Sequence, residues 1–445
     1  MALLRTPPGT KDVLPTEAAE LRLIEDAART VFHEFGYGEV ITPALEYEEV
    51  LALSEEKAFQ TGFRLLDESG KVMILRPDLT TPIARMFGSR LRMGEPPHRV
   101  FSVSDIFRRN SPQRGQESEF RQAGVEMLGS SLPEADAEVL AVACRTLERS
   151  GLRDYSLGVG HVGFFKGLLD TASDDALLKD RLTTDLVQKD LVGYRVALDK
   201  AAADGLIDAE ACRALLEVPD MRGGREVLER VAAHVRDPAM EASLGHLSAV
   251  HEVVTRYGHG ERLLFDLGIF RNFDYYTGII FEIYAPGLGF TLGGGGRYDS
   301  LLAAYGAPMP AVGFGLGLDR LHVALVEQGG VTMSTEPSVL LLGGLDEHVA
   351  VADALRAECV GVFALPLDTS EQALMRLAEQ KDIRILVVPV EGTAGERWTV
   401  TDLRGGGVSE GSSLAKLPDV VCHAAWEHEA PHEAPHEAPA RGERS

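Results

Sequence analysis

The feature that most restricts how this chain can fold is a change of hydrophobic periodicity that occurs twice. Strand-like segments give way to a stretch with helical periodicity only, from about residue 167 to 254, and strand-like segments resume at Leu263. This order predicts a helical domain inserted into a sheet domain. Within the insertion, helices are expected over residues 175–191 and 225–235.

The sheet domain, expected to span residues 1–325, has many strand-like segments and few helices. Strands are expected at residues 40–41, 100–107, 120–128, 156–159 and 279–284. Residues 17–35 place apolar side chains on one helical face, with Thr16 as the N-cap candidate and Gly36 beyond the end. Strands separated by long gaps predict an α+β fold with an antiparallel sheet.

A third unit is expected over residues 337–425, where strand-like segments (339–342, 362–365 and 383–388) alternate with helix-like ones (348–358 and 370–380). This predicts a small α/β domain with parallel strand pairing. Residues 426–445 repeat His-Glu-Ala-Pro three times and are expected to form a disordered tail. The proline in each repeat opposes the helix that would align these histidines as metal ligands.

Composition limits the classes of function. The chain has 68 acidic and 44 basic residues, a net charge of −24, and no basic stripe that would offset its repulsion of nucleic acid. It has no apolar run of membrane-spanning length and no signal peptide, so a soluble, cytoplasmic protein is expected. The widely spaced Cys144, Cys212, Cys359 and Cys422 are expected to be buried free thiols.

Residues 120–128 carry the clearest candidate binding face. Alternation puts Gln122, Gly124 and Glu126 on one side of a strand and apolar residues on the other. A carboxylate can receive an ammonium or ring N–H, and glycine lets a ligand lie close to the backbone. The face therefore suits an amino-acid ligand, with an ordinary solvated sheet face as the alternative.

Three further segments are candidates for ligand contact. Residues 107–115 form a polar loop with Arg108 at its mouth, which suits a phosphate or carboxylate. The run Gly293-Gly294-Gly295-Gly296 lacks the spacing of a phosphate-binding loop and indicates a strand closely crossed by another backbone or a ligand. Residues 313–320 add a second glycine-rich segment, which ends in Arg320.

Together these segments resemble the core of class II aminoacyl-tRNA synthetases, specifically the histidyl branch, over roughly residues 7–325. The three class motifs are matched around Pro43, at Phe107-Arg108 and at residues 315–320. The histidyl signatures Q-x-G-x-E, R-x-x-D-Y-Y and G-G-R-Y-D are matched at residues 122–126, 271–276 and 295–299. Several motifs in the same order make the resemblance specific.

Departures from the synthetase pattern resemble instead the regulatory subunits of ATP phosphoribosyltransferase. Residues 76–85 read RPDLTTPIAR where a synthetase has RPEGT. In the second motif, Asn110-Ser111 replaces a Glu-Arg pair, and residues 116–118 replace a basic segment. Residues 160–164, 190–195 and 221–224 are also similar to the regulatory subunits.

This resemblance implies a histidine-binding receptor with no catalytic residue, cofactor or metal. The implied histidine site comprises Asp78, Thr80, Gln122, Glu126, Arg271, Tyr275 and Tyr276. Arg108 and Arg320 stand where a synthetase contacts phosphate; the alternatives are structural ion pairs or contacts with the carboxylate of histidine. The implied partner is a short-form catalytic subunit, which the chain, a homodimer within a hetero-octamer, would activate and make sensitive to free histidine.

Two other functions stay open on the sequence. One is an active histidyl-tRNA synthetase, against which the altered second motif and the acidic charge both argue. Residues 337–425 resemble an anticodon-binding domain, yet they contain 13 acidic and 7 basic residues, which opposes tight RNA binding. The other is a free-standing histidine-binding protein. Neither a membrane nor a nucleic-acid partner is expected.

Overall fold

A computed structural model describes most of the chain. The described residues are 5–53, 61–90, 94–109, 117–270, 275–331, 338–343, 345–358, 360–366, 369–381, 383–390, 397–403, 408–413 and 415–426. The chain divides into two compact units, residues 1–332 and 333–445. No helix within the described ranges combines the length and apolar character needed to cross a bilayer.

The first unit is built on a nine-stranded sheet. Its strands are β1 (Gly38–Glu39), β5 (His98–Phe107), β6 (Glu119–Leu128), β7 (Ser156–His161), β8 (Arg222–Gly223), β9 (Leu263–Asp266), β10 (Ile279–Tyr284), β11 (Gly293–Arg297) and β12 (Ala311–Gly317). Their order is β1-β5-β6-β12-β11-β10-β7-β9-β8. Pairing is antiparallel except between β1 and β5 and between β7 and β9, so the predicted α+β fold with a mainly antiparallel sheet is confirmed.

One face of this sheet is covered by three helices, α1 (Pro15–Glu34), α4 (Pro133–Arg149) and α12 (Leu318–Glu327). Their apolar side chains join those of Ala123, Val125 and Met127 in the main core, as strand alternation predicts. The opposite face carries the candidate site. Two short helices, α3 (Thr80–Ser89) and α11 (Leu301–Ala304), pack over part of this second face.

The predicted first helix is present, but its predicted cap is wrong. The helix begins at Pro15, and the N-cap is Leu14, which makes no side-chain capping bond. Proline is well suited to the first helical position because its fixed φ and missing N–H cost nothing there. The predicted C-terminal signal is confirmed, because Gly36 has a φ of +79° directly beyond the helix.

A small three-stranded sheet precedes α3. It comprises β2 (Leu45–Tyr47), β3 (Arg64–Leu66) and β4 (Val72–Leu75), in the order β2-β4-β3, with helix α2 (Glu48–Leu51) after β2. The strand predicted at Val40 and Ile41 is wrong by two residues. Pairing with β5 fixes β1 at residues 38–39, and Ile41 is 79% exposed.

Six α-helices and the two-residue strand β8 lie between β7 and β9, so the stretch is not purely helical, contrary to the prediction. The helices are α5 (Val162–Ala172), α6 (Ala176–Val187), α7 (Leu191–Ala203), α8 (Ala209–Glu217), α9 (Glu226–Ala232) and α10 (Pro238–Arg256). The helix predicted over residues 175–191 is wrong at its end, because Lys189 has a φ of +60° and Asp190 caps the next helix. We call α5–α10 the helical insertion.

The second unit has its own sheet and core. Its strands are β13 (Ser338–Gly343), β14 (Gly361–Pro366), β15 (Ile385–Pro389), β16 (Arg397–Asp402) and β17 (Val408–Ser413), and its helices are α13 (Leu345–Ala357), α14 (Glu371–Lys381) and α15 (Leu417–Trp426). The predicted parallel pairing holds for β13 with β14 and β15. The antiparallel strands β16 and β17 were not predicted. The repeat tail, residues 427–445, lies outside the described residues.

Candidate functional site

The floor of the candidate site is formed by β6 and its neighbour β12. Gln122, Gly124 and Glu126 pair in register with Gly317, Gly315 and Gly313 respectively. A Cβ at Gly313 would lie 1.7 Å from Glu126 Oε2, and one at Gly315 would lie 2.1 Å from Gln122 Nε2. The two polar side chains therefore lie flat across the glycines of the next strand.

The strand beyond β12 continues this bare floor. In β11, a Cβ at Gly293 or Gly295 would lie 2.2 or 2.0 Å from a carbonyl oxygen of β12. One at Gly294 or Gly296 would lie 2.5 or 2.4 Å from a carbonyl oxygen of β10. The four-glycine run is therefore a strand closely flanked by backbone, as its composition predicts, and Gly293, Gly294 and Gly295 line the pocket.

Glu126 lies at the buried end of the pocket. Its side chain accepts a hydrogen bond of 2.7 Å from Thr80 Oγ1 and another from the hydroxyl of Tyr298. Burial raises the pKa of Glu126 to about 7, against the lowering effect of these two hydrogen bonds. A carboxyl group in this setting gains from a cationic or N–H ligand, which replaces lost water.

A second buried carboxyl group lies nearby, at the start of α3. Asp78 accepts a 2.7 Å hydrogen bond from the backbone N–H of Thr81. Burial raises the pKa of Asp78 also, and the bond from Thr81 and the charge of Arg108 oppose this rise. Two carboxyl groups in one enclosed pocket favour a ligand with positive charge at this end.

Three tyrosines form a wall. The rings of Tyr275 and Tyr298 stack with centroids 5.4 Å apart and an interplanar angle of 19°. Tyr276 meets Tyr275 at 78°, with centroids 4.9 Å apart. Aromatic rings held this way offer a flat surface for a planar ligand group such as an imidazole.

Basic side chains lie elsewhere in the pocket. Arg108 donates to the carbonyl of Pro77 at 2.6 Å, and Arg320 donates to the carbonyl of Thr291 at 2.8 Å. The guanidinium of Arg320 lies 5.8 Å from the ring centre of Phe120 and 5.7 Å from that of Phe290. The pocket thus combines carboxyl and guanidinium groups, as a zwitterionic ligand requires.

Eight of the nine site residues proposed from the sequence lie together in the structure. Asp78, Thr80, Gln122, Glu126, Tyr275, Tyr276, Arg108 and Arg320 all line this one pocket. Arg271 and residues 110–116 lie outside the described residues. Among those that are described, no group of three or more His, Cys, Asp or Glu side chains is arranged to hold a metal ion.

Sequence reasoning missed Tyr298 and Glu282, which also line the pocket. Tyr298 lies 172 positions from its partner Glu126, so no local pattern links the two. Its place directly after the glycine strand, within the G-G-R-Y-D signature, was the available signal. Glu282 lies on β10 and accepts from the hydroxyl of Tyr284.

Comparison with known proteins places this chain in a family. Residues 9–321 match the family model described as histidyl-tRNA synthetase. The crystal structure of histidyl-tRNA synthetase from Nostoc sp. is 22% identical, with a TM-score of 0.78 over 94% of this chain and 99% of that one, and supports the fold alone.

More similar sequences bear another name. The ATP phosphoribosyltransferase regulatory subunit of Desulforamulus reducens is 39% identical over 80% of this chain and 86% of that protein. The protein of the same name from Moorella thermoacetica is 40% identical over 74% and 84%. A crystal structure of an ATP phosphoribosyltransferase regulatory subunit/histidyl-tRNA synthetase from Bacillus halodurans is 31% identical, with a TM-score of 0.77 over 87% and 98%. The chain therefore belongs to the family of ATP phosphoribosyltransferase regulatory subunits, which is built on the histidyl-tRNA synthetase fold.

Proposed function

We propose that this chain is the histidine-sensing, non-catalytic subunit of ATP phosphoribosyltransferase, the enzyme that joins ATP to phosphoribosyl pyrophosphate at the first step of histidine biosynthesis. Membership of the regulatory family supports a role through a separate catalytic chain. The pocket supports free histidine as the effector. The observation that carries this assignment is Glu126, a buried carboxyl group that faces a pocket walled by tyrosines.

The groups of the pocket match those of histidine. Glu126 and Asp78 would receive the ammonium and imidazole N–H groups, while Gln122 supplies an amide on the floor. Arg271 would hold the carboxylate, as the family resemblance implies, and the pocket-lining Arg108 and Arg320 are the alternatives. The tyrosine wall suits the flat imidazole.

The catalytic partner would be a short-form ATP phosphoribosyltransferase, in an assembly of four copies of each chain. This chain would enter the assembly as a homodimer formed around Pro43. Two large apolar side chains close to that residue in sequence support such an interface: Ile41 is 79% exposed and Leu45 42%. Leu66, on a strand of the same small sheet as Leu45, is 70% exposed. Exposed apolar groups concentrated in one region are typical of an interaction surface.

Histidine would act by binding two states of the assembly with different affinities. If the inhibited state binds histidine more tightly, histidine shifts the population toward that state. The coupling is reciprocal, so substrates that favour the active state must weaken histidine binding to the same extent. The pocket then acts as a receptor, and the chemistry takes place in the partner chain.

Reconstitution with a short-form catalytic subunit tests the assignment. Size-exclusion chromatography with light scattering should show one hetero-oligomer at micromolar concentration. The catalytic subunit alone should be nearly inactive, the mixture active, and the mixture inhibited by histidine. Separate migration of the two chains would contradict the proposal at its central point.

Titration calorimetry on this chain alone tests the effector site. Glu126→Ala should weaken histidine binding by about tenfold or more, because a hydrogen bond to a charged group contributes roughly 1.5–3 kcal/mol. Glu119→Ala is the matched control, since Glu119 lies on the same strand but is exposed. Equal affinity of wild type and Glu126→Ala would place the effector elsewhere.

A histidine-dependent pyrophosphate exchange assay distinguishes the synthetase alternative. We expect no exchange, because the second motif has Asn110 where the synthetase has a carboxylate that faces adenine. In addition, the Arg320 guanidinium already lies against the Phe120 and Phe290 rings and bonds to Thr291. Robust exchange by the purified chain would favour the synthetase.

A further inference from the structure

The helical insertion meets the sheet at a buried charged cluster. Asp136, on α4, is fully buried and lies between Arg297 at the end of β11 and His246 on α10. The ion pair between Arg297 Nη2 and Asp136 Oδ1 spans 2.9 Å, and His246 Nε2 lies 2.6 Å from Asp136 Oδ2. The sheet and the insertion therefore share this carboxylate: Arg297 contacts both of its oxygens, and His246 contacts Oδ2.

On the sheet side, Arg297 supports the turn that follows the two pocket tyrosines. Its carbonyl accepts a 2.7 Å hydrogen bond from the backbone N–H of Thr277, the residue directly after Tyr276. Its side chain fills the space beside Gly278, where a Cβ would lie 2.9 Å from Arg297 Cδ. The next residue, Tyr298, donates its hydroxyl to Glu126. Arg297 is thus tied to the tyrosine wall at two points, the turn after Tyr276 and the adjacent Tyr298.

On the insertion side, the same turn reaches the first helix. The carbonyl of Gly278 accepts a 2.9 Å hydrogen bond from the N–H of Val162, the first residue of α5. His161 caps α5 by accepting from the N–H of Gly163 at 3.1 Å, and its ring packs edge-on to His246 with centroids 5.6 Å apart. Burial lowers the pKa of His161 to about 3, which keeps it the neutral acceptor that this cap requires.

A buried carboxylate held by two partners resists separation from either, because an uncompensated charge away from water is costly. A displacement of Arg297 would therefore also displace Asp136 and, through it, His246. Packed cores shift between discrete arrangements and do not deform continuously, so a small displacement at the pocket can move a helix.

We propose that His246 is a positioning residue through which α10 of the helical insertion responds to ligand in the pocket. A series of contacts links the pocket to α10. Glu126 bonds to Tyr298, the neighbour of Arg297, and Arg297 pairs with Asp136, which contacts His246. A ligand that contacts Glu126 or the turn after Tyr276 shifts Arg297. The shift makes local opening of α10 less frequent. This rests on the proposed binding of histidine, and it assigns to the insertion the task of carrying the signal out of the sheet domain.

Amide hydrogen exchange on the full chain, with and without saturating free histidine, tests this. In the wild type, histidine should slow exchange in α10 by about fivefold or more. In His246→Ala the protection should fall below about twofold. The variant should fold, because Asp136 keeps its ion pair with Arg297. His246→Gln should restore the protection, since its amide N–H can donate to Asp136.

The matched control is His251→Ala, on the same helix, where the His251 ring packs against Phe265. It should leave the response of α10 unchanged. Calorimetry on each variant gives its histidine affinity, which should stay within about threefold of wild type in His246→Ala, since that side chain does not line the pocket. Reconstituted with the catalytic subunit, His246→Ala should bind histidine yet leave more residual activity at saturation.

Histidine binding with no change in α10, or with equal protection in wild type and His246→Ala, overturns this inference and leaves the proposed function standing. Failure of His246→Gln to restore the response also overturns it, because a structural loss alone would then account for the alanine variant. Absence of histidine binding to the wild type overturns the proposed function and this inference together.

Discussion

At the scale of single residues, the pocket depends on a carboxyl group held away from water. The pKa of Glu126 is raised to about 7, whereas an unfolded glutamate titrates near 4.5. Between these two values the folded protein binds more protons than the unfolded one, so this group makes stability fall as pH rises. Well below pH 4.5 the carboxyl group is neutral in both the folded and the unfolded state, so it adds no pH dependence to the stability.

Glu126→Gln should therefore stabilise the protein above pH 7, by at most about 3.5 kcal/mol, because one pKa unit corresponds to about 1.4 kcal/mol. The gain should shrink toward zero as pH falls to about 4.5. Melting temperatures of variant and wild type from pH 4.5 to 8 measure this. The exposed Glu119→Gln is the control and should show no such trend. A gain that is independent of pH would contradict the raised pKa.

The glycines of β12 give a second prediction at this scale. Gly313→Ala should destabilise the protein by about 1–3 kcal/mol and weaken histidine binding, since the new methyl group would overlap both Glu126 and the carbonyl of Val125. Gly245→Ala is the control, because Gly245 lies exposed on α10 with no atom within 4 Å of an added Cβ. That change should stabilise by up to about 1 kcal/mol. Calorimetric melting and histidine titration compare the two, and equal effects would contradict the packing argument.

At the scale of elements, aspartate side chains cap the N-termini of most helices in the helical insertion. Asp175, Asp190, Asp208 and Asp237 each precede a helix and accept from its first backbone N–H groups. A side-chain acceptor at this position satisfies donors that the helix itself cannot, and its negative charge favours the positive end of the helix dipole. These four residues therefore help to fix where four of the six α-helices of the insertion begin.

Asp208→Ala should destabilise the insertion by about 1 kcal/mol, because it removes the 2.7 Å bond to the N–H of Ala211. Asp204→Ala is a close control, since Asp204 lies at the C-cap of α7, where a negative charge is unfavourable. It should be neutral or slightly stabilising. Exchange rates of the amides in α8 would reveal the difference, and equal rates in the two variants would show that the cap is not needed.

Helices and strands could be predicted from the sequence where the local side-chain pattern and the tertiary packing favour the same structure. Residues 279–284 are rich in β-branched and aromatic side chains, and β10 has these bounds. The strand expected at Val40 and Ile41 failed because pairing with β5 fixed it two residues earlier, whatever the propensity of its side chains. The alternation of side chains along residues 120–128 predicted that Gln122 and Glu126 lie on the binding face. The hydrogen bond from Tyr298 to Glu126 could not be predicted, because it depends on tertiary structure that no short segment encodes.

At the scale of the whole molecule, all the described pocket residues belong to the first unit. The second unit has a separate core around Trp398, Val339 and Val387. We propose that residues 1–325 are the synthetase-like core with its insertion and that residues 337–425 form a separate domain, which resembles the anticodon-binding domain, followed by the tail. A domain with its own core can fold alone.

Residues 1–331 should therefore fold without the rest and bind histidine within about twofold of the full chain, a difference of under about 0.5 kcal/mol. Calorimetry on the truncated and full-length proteins makes the comparison. An insoluble fragment, or one with much weaker binding, would mean that the second unit supports the pocket.

The proposed homodimer gives a further prediction. Leu66→Asp should convert the dimer to a monomer, because it puts a charge into an interface that is expected to be apolar. Leu177→Asp is the control, since Leu177 is 83% exposed but lies on the helical insertion. Light scattering at micromolar concentration gives the mass of each. Dimers in both variants would place the interface elsewhere.

The glycine floor limits how such a pocket can change over time. Any substitution in residues 293–296 puts atoms where the backbone of a neighbouring strand already lies. Substitutions at these four glycines therefore cannot change which ligand the pocket prefers, whether they arise by evolution or by design. New preferences have to come from the side chains around the glycines, at positions such as Gln122, Asp78 and the tyrosines, while the glycines stay the same. A sensor for another amino acid built on this scaffold should begin with a library of those side chains and leave the glycine codons untouched.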